Sequence, residues 1–145
     1  MLVRAWKERG LRLLAPQAAD LVAECVPRPA ADVITYIPPD GDRSIRRGHQ
    51  PAKDLASALG ELWGLPVECL LTRTRTVARQ TGLPRAERRR NMRGAFAAAH
   101  ADVPARVVLV DDVYTTGATG DAAAAALRDA GACEVYVVAL ARAVR

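Results

Sequence analysis

Residues 107–119 read VVLVDDVYTTGAT and carry the strongest structural signal in the chain. Four apolar, strand-favouring residues lead into two adjacent acids, Asp111 and Asp112, and a Thr-Thr-Gly-Ala-Thr turn then opens an alanine-rich helical stretch. An unbroken apolar run of this kind is typical of a strand that is buried on both faces of a sheet. The segment therefore predicts a buried strand with polar groups at its carboxyl end, where open α/β sheets bind ligands.

The turn after this strand has the chemistry of a phosphate site. The first N–H groups of a helix lack intrahelical partners, and the helix dipole adds partial positive charge there. We therefore predict that phosphate is bound by the turn residues Thr115, Thr116, Gly117, Ala118 and Thr119. The turn is not a Walker A loop, because no lysine follows its glycine, and it is not a dinucleotide fingerprint, because it lacks the GxGxxG pattern.

The acid pair suggests a sugar next to that phosphate. Two adjacent carboxylates near a strand end are costly without partners, and vicinal sugar hydroxyls are good ones. Because Asp111 and Asp112 stand a few residues before the turn, the spacing predicts binding of a ribose 5-phosphate. The alternative is that both acids only cap nearby backbone groups.

Outside this segment, strand and helix patterns alternate along the chain. Such alternation predicts an α/β fold, a mostly parallel sheet of about five strands with helices on both faces. The length of 145 residues suits a single domain. We assign residues 1–30 to a helical region and residues 31–145 to the α/β core. The predicted strands are 32–38, 66–72, 94–98, 106–111 and 134–140, and the predicted helices are two short ones within 2–25, then 51–63 and 119–130.

The positive charge is concentrated in one stretch. Residues 73–93 hold eight arginines and one acid within a chain whose net charge is +5, so the remainder is slightly negative. Arginine-rich segments bind phosphates, on nucleic acid or on a small anionic substrate. Because this stretch has no clear periodicity, we interpret it as a long functional loop.

Composition narrows the class of protein further. Half of the residues are hydrophobic and 4% are aromatic, which favours an α/β core over a β-sandwich. The three cysteines and two histidines form no pattern with metal-ligand spacing, so no protein-held metal site is predicted, and we expect reduced, mostly buried thiols. No apolar stretch is long enough to span a bilayer, and no signal peptide is recognisable, so we expect a cytoplasmic protein. The sequence does not specify an oligomeric state.

Residues 107–119 match throughout the 13-residue signature of the type I phosphoribosyltransferases, which the chain therefore resembles. Further matches resemble the competence protein F family within that superfamily. They are the stretch RSIRRGHQPAKDL at 43–55 and a Gln–Arg–Asn–Gly–Phe pattern at positions 80, 88, 91, 94 and 96. The resemblance implies binding of 5-phosphoribosyl 1-pyrophosphate (PRPP), with Mg²⁺ held mainly by the oxygens of PRPP. It also implies transfer of the phosphoribosyl group with release of pyrophosphate.

The resemblance also assigns roles to the arginines. Arg46 or Arg47, in the loop after the first strand, would pair with the pyrophosphate, since a guanidinium binds phosphate oxygens two at a time. The 73–93 loop would be a mobile lid over PRPP, with Arg75 stabilising the departing pyrophosphate. The helices up to about residue 30 would form a hood over the acceptor, a base or amine that the sequence does not identify.

Three functions are compatible with these expectations. The first is a PRPP-dependent phosphoribosyltransferase. The second is a non-catalytic accessory protein of DNA uptake in natural competence, in which the arginine-rich loop would contact single-stranded DNA or competence proteins. The absence of aromatic residues from 73–93 weakens this interpretation, because single-strand binding usually involves base stacking. The third is a PRPP-sensing regulator without catalysis.

Overall fold

The computed structural model of the protein describes residues 14–39, 50–74 and 94–142. Three helices and five strands lie in these ranges. The helices are α1 (Ala15–Cys25), α2 (Pro51–Trp63) and α3 (Ala118–Asp129). The strands are β1 (Val33–Tyr36), β2 (Leu71–Arg73), β3 (Phe96–Ala98), β4 (Arg106–Tyr114) and β5 (Glu134–Arg142).

Strand β4 is the centre of the main sheet. The three strands run in the order β1-β4-β5, and both pairings are parallel. Val110 is level with Tyr36 of β1 and with Val138 of β5. The carboxyl ends of all three strands therefore lie at one edge of the sheet. This architecture confirms the predicted α/β fold with a mostly parallel sheet.

Side chains that alternate along β4 supply two cores. Val108 and Val110 pack on one side with buried residues of α1 and α2, including Val22 and Leu59. The side chains of residues 107 and 109 pack on the other side with buried residues of α3. All four β4 residues have no exposed surface. The period of two along a strand thus explains why helices cover both faces, as predicted.

The remaining strands differ from the predicted single sheet of about five. Val67, within the predicted strand 66–72, makes an isolated parallel bridge to Ile34 of β1. The chain then leaves that edge, and β2 pairs with β3 as a separate antiparallel unit. At this point the buried Oγ1 of Thr35 accepts the N–H of Leu70 at 3.2 Å.

The N-terminal helical region is described only from residue 14. Helix α1 packs against α2 and β5, with Ala18, Ala19 and Val22 buried. Any earlier helix within residues 2–13 lies outside the described part, and the role of this region as a hood over an acceptor stays a prediction.

The prediction of mostly buried thiols is wrong. Cys25, Cys69 and Cys133 are free and exposed. Cys25 ends α1, and the other two lie in segments beside β2 and β5. Cysteine is usually buried, but residues near the ends of helices and strands are often exposed.

Helix α2 approaches the 65–67 segment closely at Gly60. A Cβ atom built on Gly60 would overlap Cγ2 of Val67 and would lie 3.0 Å from the carbonyl oxygen of Leu65. The Leu65 N–H also donates to the Gly60 carbonyl at 3.0 Å. The glycine therefore allows the helix to pack against the segment that bridges to β1.

We predict that Gly60→Ala destabilises the fold, although alanine is the better helix former by about 1 kcal/mol. The added methyl must displace a β-branched side chain, and such overpacking typically costs about 1–3 kcal/mol. Urea denaturation would measure the loss. In the Gly60→Ala/Val67→Ala double variant the clashing Cγ2 is absent, so the Gly60 substitution should cost less than it does alone. Strict additivity of the two single changes would contradict this explanation.

Candidate functional site

The acid pair lies inside β4. The sequence predicts that the strand ends at Asp111, but it continues to Tyr114. The reason is that β5 is equally long, so the ladder continues through Asp111↔Ala139 and Tyr114↔Arg142. Asp111 and Asp112 therefore follow the buried apolar run of β4, at the carboxyl edge of the sheet.

Hydrogen bonds to the backbone fix one oxygen of each carboxylate. Oδ1 of Asp111 accepts the N–H of Asp112 at 2.8 Å. Oδ1 of Asp112 accepts the N–H of Val113 at 2.8 Å. Both residues are half-buried. The capping of backbone groups that the sequence offered as an alternative is thus present, and it orients both acids.

The predicted phosphate turn joins β4 to α3. Helix α3 begins at Ala118, with Gly117 as its N-cap in the left-handed conformation at φ +80°. Oγ1 of Thr116 accepts the N–H of Ala118 at 3.4 Å. The N–H of Asp121 donates to the Gly117 carbonyl at 2.8 Å, which closes the first helical turn. The turn residues therefore surround the N-terminus of a 12-residue helix, next to the acid pair.

Tyr114 contacts this turn, which sequence reasoning missed. A Cβ atom on Gly117 would overlap the Tyr114 hydroxyl and would lie 2.9 Å from Cζ. Two features therefore favour glycine at position 117. Its φ is positive, and the Tyr114 ring leaves no room for a Cβ atom. The sequence signal for this contact was no more than an aromatic residue three positions before the glycine.

A second unpredicted contact joins β2 to the segment after β1. Nε of Arg73, at the end of β2, donates to the Pro38 carbonyl at 2.8 Å. Its guanidinium carbon also lies 4.9 Å from the centroid of the Phe96 ring. Pro38 follows β1, whose last residue, Tyr36, is level with Val110. The contact is thus close to the edge that carries the acids.

Tyr36 and Cys69 form a polar contact near the end of β1. Burial raises the pKa of the Tyr36 hydroxyl to about 12, and a hydrogen bond with Cys69 contributes to the rise. The phenol is therefore neutral at physiological pH, and this side chain adds no charge near the acid pair.

Three predicted site residues lie outside the described ranges. Arg46 and Arg47 fall in 40–49, and Arg75 falls in 75–93. Their roles stay predictions. The structure brings together the predicted residues of the 107–119 segment, while their binding of a ligand also stays a prediction.

Within residues 14–39, 50–74 and 94–142, no three His, Cys, Asp or Glu side chains form a group that could hold a metal ion. In the same ranges no helix is long and apolar enough to cross a bilayer. The adjacent carboxylates of Asp111 and Asp112 are hard oxygen donors. Such a pair suits Mg²⁺ only when a substrate supplies further oxygens.

We predict that Gly117→Ala is more destabilising than Gly64→Ala. Gly64 also has a positive φ, +64°, but nothing lies within 4 Å of its Cβ position. Both variants incur the left-handed backbone strain of about 1 kcal/mol. Gly117→Ala adds the clash with Tyr114, about 1–3 kcal/mol more. Denaturant unfolding of both variants measures the difference, and equal losses would show that the Tyr114 contact is unimportant.

Comparisons with known proteins agree with this geometry. The family described as the phosphoribosyl transferase domain matches residues 45–144. Competence protein F of Haemophilus influenzae is 37% identical over 105 residues, which cover 70% of this chain and 46% of that protein. The chain thus spans less than half the length of this curated relative.

Solved structures show the same relationship. A structure described as the allosteric regulatory enzyme of purine biosynthesis has a TM-score of 0.60 at 30% identity, over 89% of this chain and 26% of that one. Glutamine PRPP amidotransferase from B. subtilis has a TM-score of 0.59 at 29% identity, with the same coverage of 89% and 26%. A purine phosphoribosyltransferase from Pyrococcus horikoshii shares the fold, with a TM-score of 0.51 at 20% identity over 90% of this chain and 73% of that one.

The family match covers most of the chain, and it includes the acid pair, the turn and α3. The chain belongs to the phosphoribosyltransferase family.

Proposed function

We propose that this protein binds PRPP with Mg²⁺ and transfers its phosphoribosyl group to a base or amine, releasing pyrophosphate. The observation that carries the proposal is the junction of β4 with α3. An oriented acid pair near the end of β4 is followed there by the N-terminus of α3. Ribose hydroxyls and a 5-phosphate are the ligand groups that match these two features.

Each half of a ribose 5-phosphate has a counterpart in this proposal. The backbone N–H groups of the turn residues and the hydroxyls of Thr115, Thr116 and Thr119 would bind the phosphate. The carboxylates of Asp111 and Asp112 would accept hydrogen bonds from the 2- and 3-hydroxyls of the ribose. The two halves lie within one nine-residue strand and the turn that follows it.

The pyrophosphate half is proposed to involve Arg46, Arg47 and Arg75. The support comes from the described residues that flank them in the sequence. Ile37, directly after β1, donates its N–H to the carbonyl of Val110 in β4, and Arg73, at the end of β2, is bound to Pro38. These flanking residues lie near the sheet edge that carries the acids. Mg²⁺ would be held mainly by PRPP oxygens, where it would neutralise the charge of the pyrophosphate.

We also propose that the protein is located in the cytoplasm. The three cysteines are free, as expected of a protein in a reducing compartment.

Isothermal titration calorimetry with PRPP and Mg²⁺ tests the donor site. We expect saturable binding by the unaltered protein. Loss of about 100-fold or more in affinity is expected for Asp111→Asn/Asp112→Asn, since hydrogen bonds to charged groups contribute about 1.5–3 kcal/mol each. Asp129→Asn, an exposed position at the end of α3, is the matched control and should bind normally. Absence of binding by the unaltered protein would refute the proposal.

Catalysis is then separated from sensing by a screen of nucleobases and amines for pyrophosphate release. A transferase releases pyrophosphate with at least one acceptor, and the release depends on Asp111 and Asp112. A PRPP-sensing regulator binds PRPP equally well and releases none.

The similarity to competence protein F favours an accessory role in DNA uptake as the second candidate. The seven arginines at 75–93 would then contact single-stranded DNA. Gel-shift titrations over a salt series should show affinity that falls steeply with salt, because phosphate contacts release counterions. PRPP should compete if the two ligands share a site. Affinity that is independent of salt, or no shift at low salt, would remove this candidate.

A further inference from the structure

Arg73 connects the end of β2 to the segment that follows β1. It is the last residue of β2, where it pairs with Phe96 of β3. Its Nε donates to the carbonyl of Pro38, 35 residues earlier in the chain. One side chain thus joins the β2–β3 pair to the segment that follows β1 of the main sheet.

Two contacts hold the guanidinium in a fixed orientation. The hydrogen bond to Pro38 is 2.8 Å long, and the centroid of the Phe96 ring, itself buried, lies 4.9 Å from the guanidinium carbon. A planar guanidinium can stack on a ring and donate within its plane at the same time, which a lysine ammonium cannot do. Arg73 is half-buried, so both contacts are partly shielded from solvent.

The backbone on both sides of this contact is paired. The Ile37 N–H donates to the Val110 carbonyl at 2.9 Å, and the Thr74 N–H donates to the Ala95 carbonyl at 3.0 Å. The first bond connects the end of β1 to β4 directly before Asp111. Movement of Pro38 would therefore be transmitted to the strand that carries the acids.

We propose that Arg73 is a positioning residue, which fixes the end of β1 to the β2–β3 pair and thereby holds the sheet edge beside Asp111 in a binding-competent arrangement. Its effect on ligand affinity rests on the proposed PRPP function. Arg73 acts through its geometry, so arginine and lysine are not equivalent at this position although both are cations.

The test compares Arg73→Lys and Arg73→Met with Arg128→Lys, a matched change at an exposed arginine in the last turn of α3. Two readouts are measured on each folded variant: the dissociation constant for PRPP with Mg²⁺, and amide hydrogen exchange at Ile37 and Thr74. We expect both Arg73 variants to bind PRPP about tenfold more weakly, as loss of a hydrogen bond and a cation–π contact implies. Exchange at both amides should be faster in both variants, and Arg128→Lys should change neither readout.

Phe96→Leu provides a second test that leaves Arg73 in place. It removes the ring next to the guanidinium, and its effect on affinity should be less than additive with that of Arg73→Met, because both changes disrupt one contact.

Normal affinity and normal exchange in Arg73→Lys would overturn the proposal, since charge alone would then suffice. Faster exchange with unchanged PRPP affinity would also overturn it, because the contact would be structural without affecting the site. If the unaltered protein binds no PRPP, the proposed function fails. The exchange data then decide separately whether Arg73 holds the end of β1, and unchanged exchange would refute that as well.

Discussion

The burial of β4 on both faces is the constraint on which the rest of the structure depends. Its four central apolar residues, Val107, Val108, Leu109 and Val110, have no exposed surface. Because their side chains alternate, each face of the strand needs its own apolar cover, which α1 and α2 supply on one side and α3 on the other. Burial of this kind contributes about 1.5–3 kcal/mol for each large apolar side chain.

The position of the candidate site follows from this central strand. The parallel order β1-β4-β5 brings three carboxyl ends to one edge, and the chain must turn there to begin α3. Gly117 makes that turn with a positive φ, which places the helix N-terminus next to the acid pair. The same junction that completes the fold therefore supplies the polar groups proposed to bind a phosphorylated ribose.

Local patterns predicted much of this arrangement. The apolar run at 107–110 and the Pro51 and Gly64 boundaries of α2 are signals within a few residues, and the structure agrees with them. The extension of β4 to Tyr114 depends on its pairing with β5, and the pattern within 106–114 alone does not contain this information. The contact of Arg73 with Pro38 joins residues 35 positions apart, so no periodicity could reveal it. The separation of β2 and β3 from the main sheet likewise depends on tertiary packing.

Binding of a ribose phosphate at the β4–α3 junction is the central claim. The most direct measurement is an NMR titration of the ¹⁵N-labelled protein with ribose 5-phosphate, observing the backbone amides. We predict saturable shifts concentrated at residues 115–119 and at Asp111 and Asp112, with little change at Arg106 and Glu134 at the opposite edge of the sheet. Unchanged amides at 115–119, or shifts confined to the opposite edge, would contradict it.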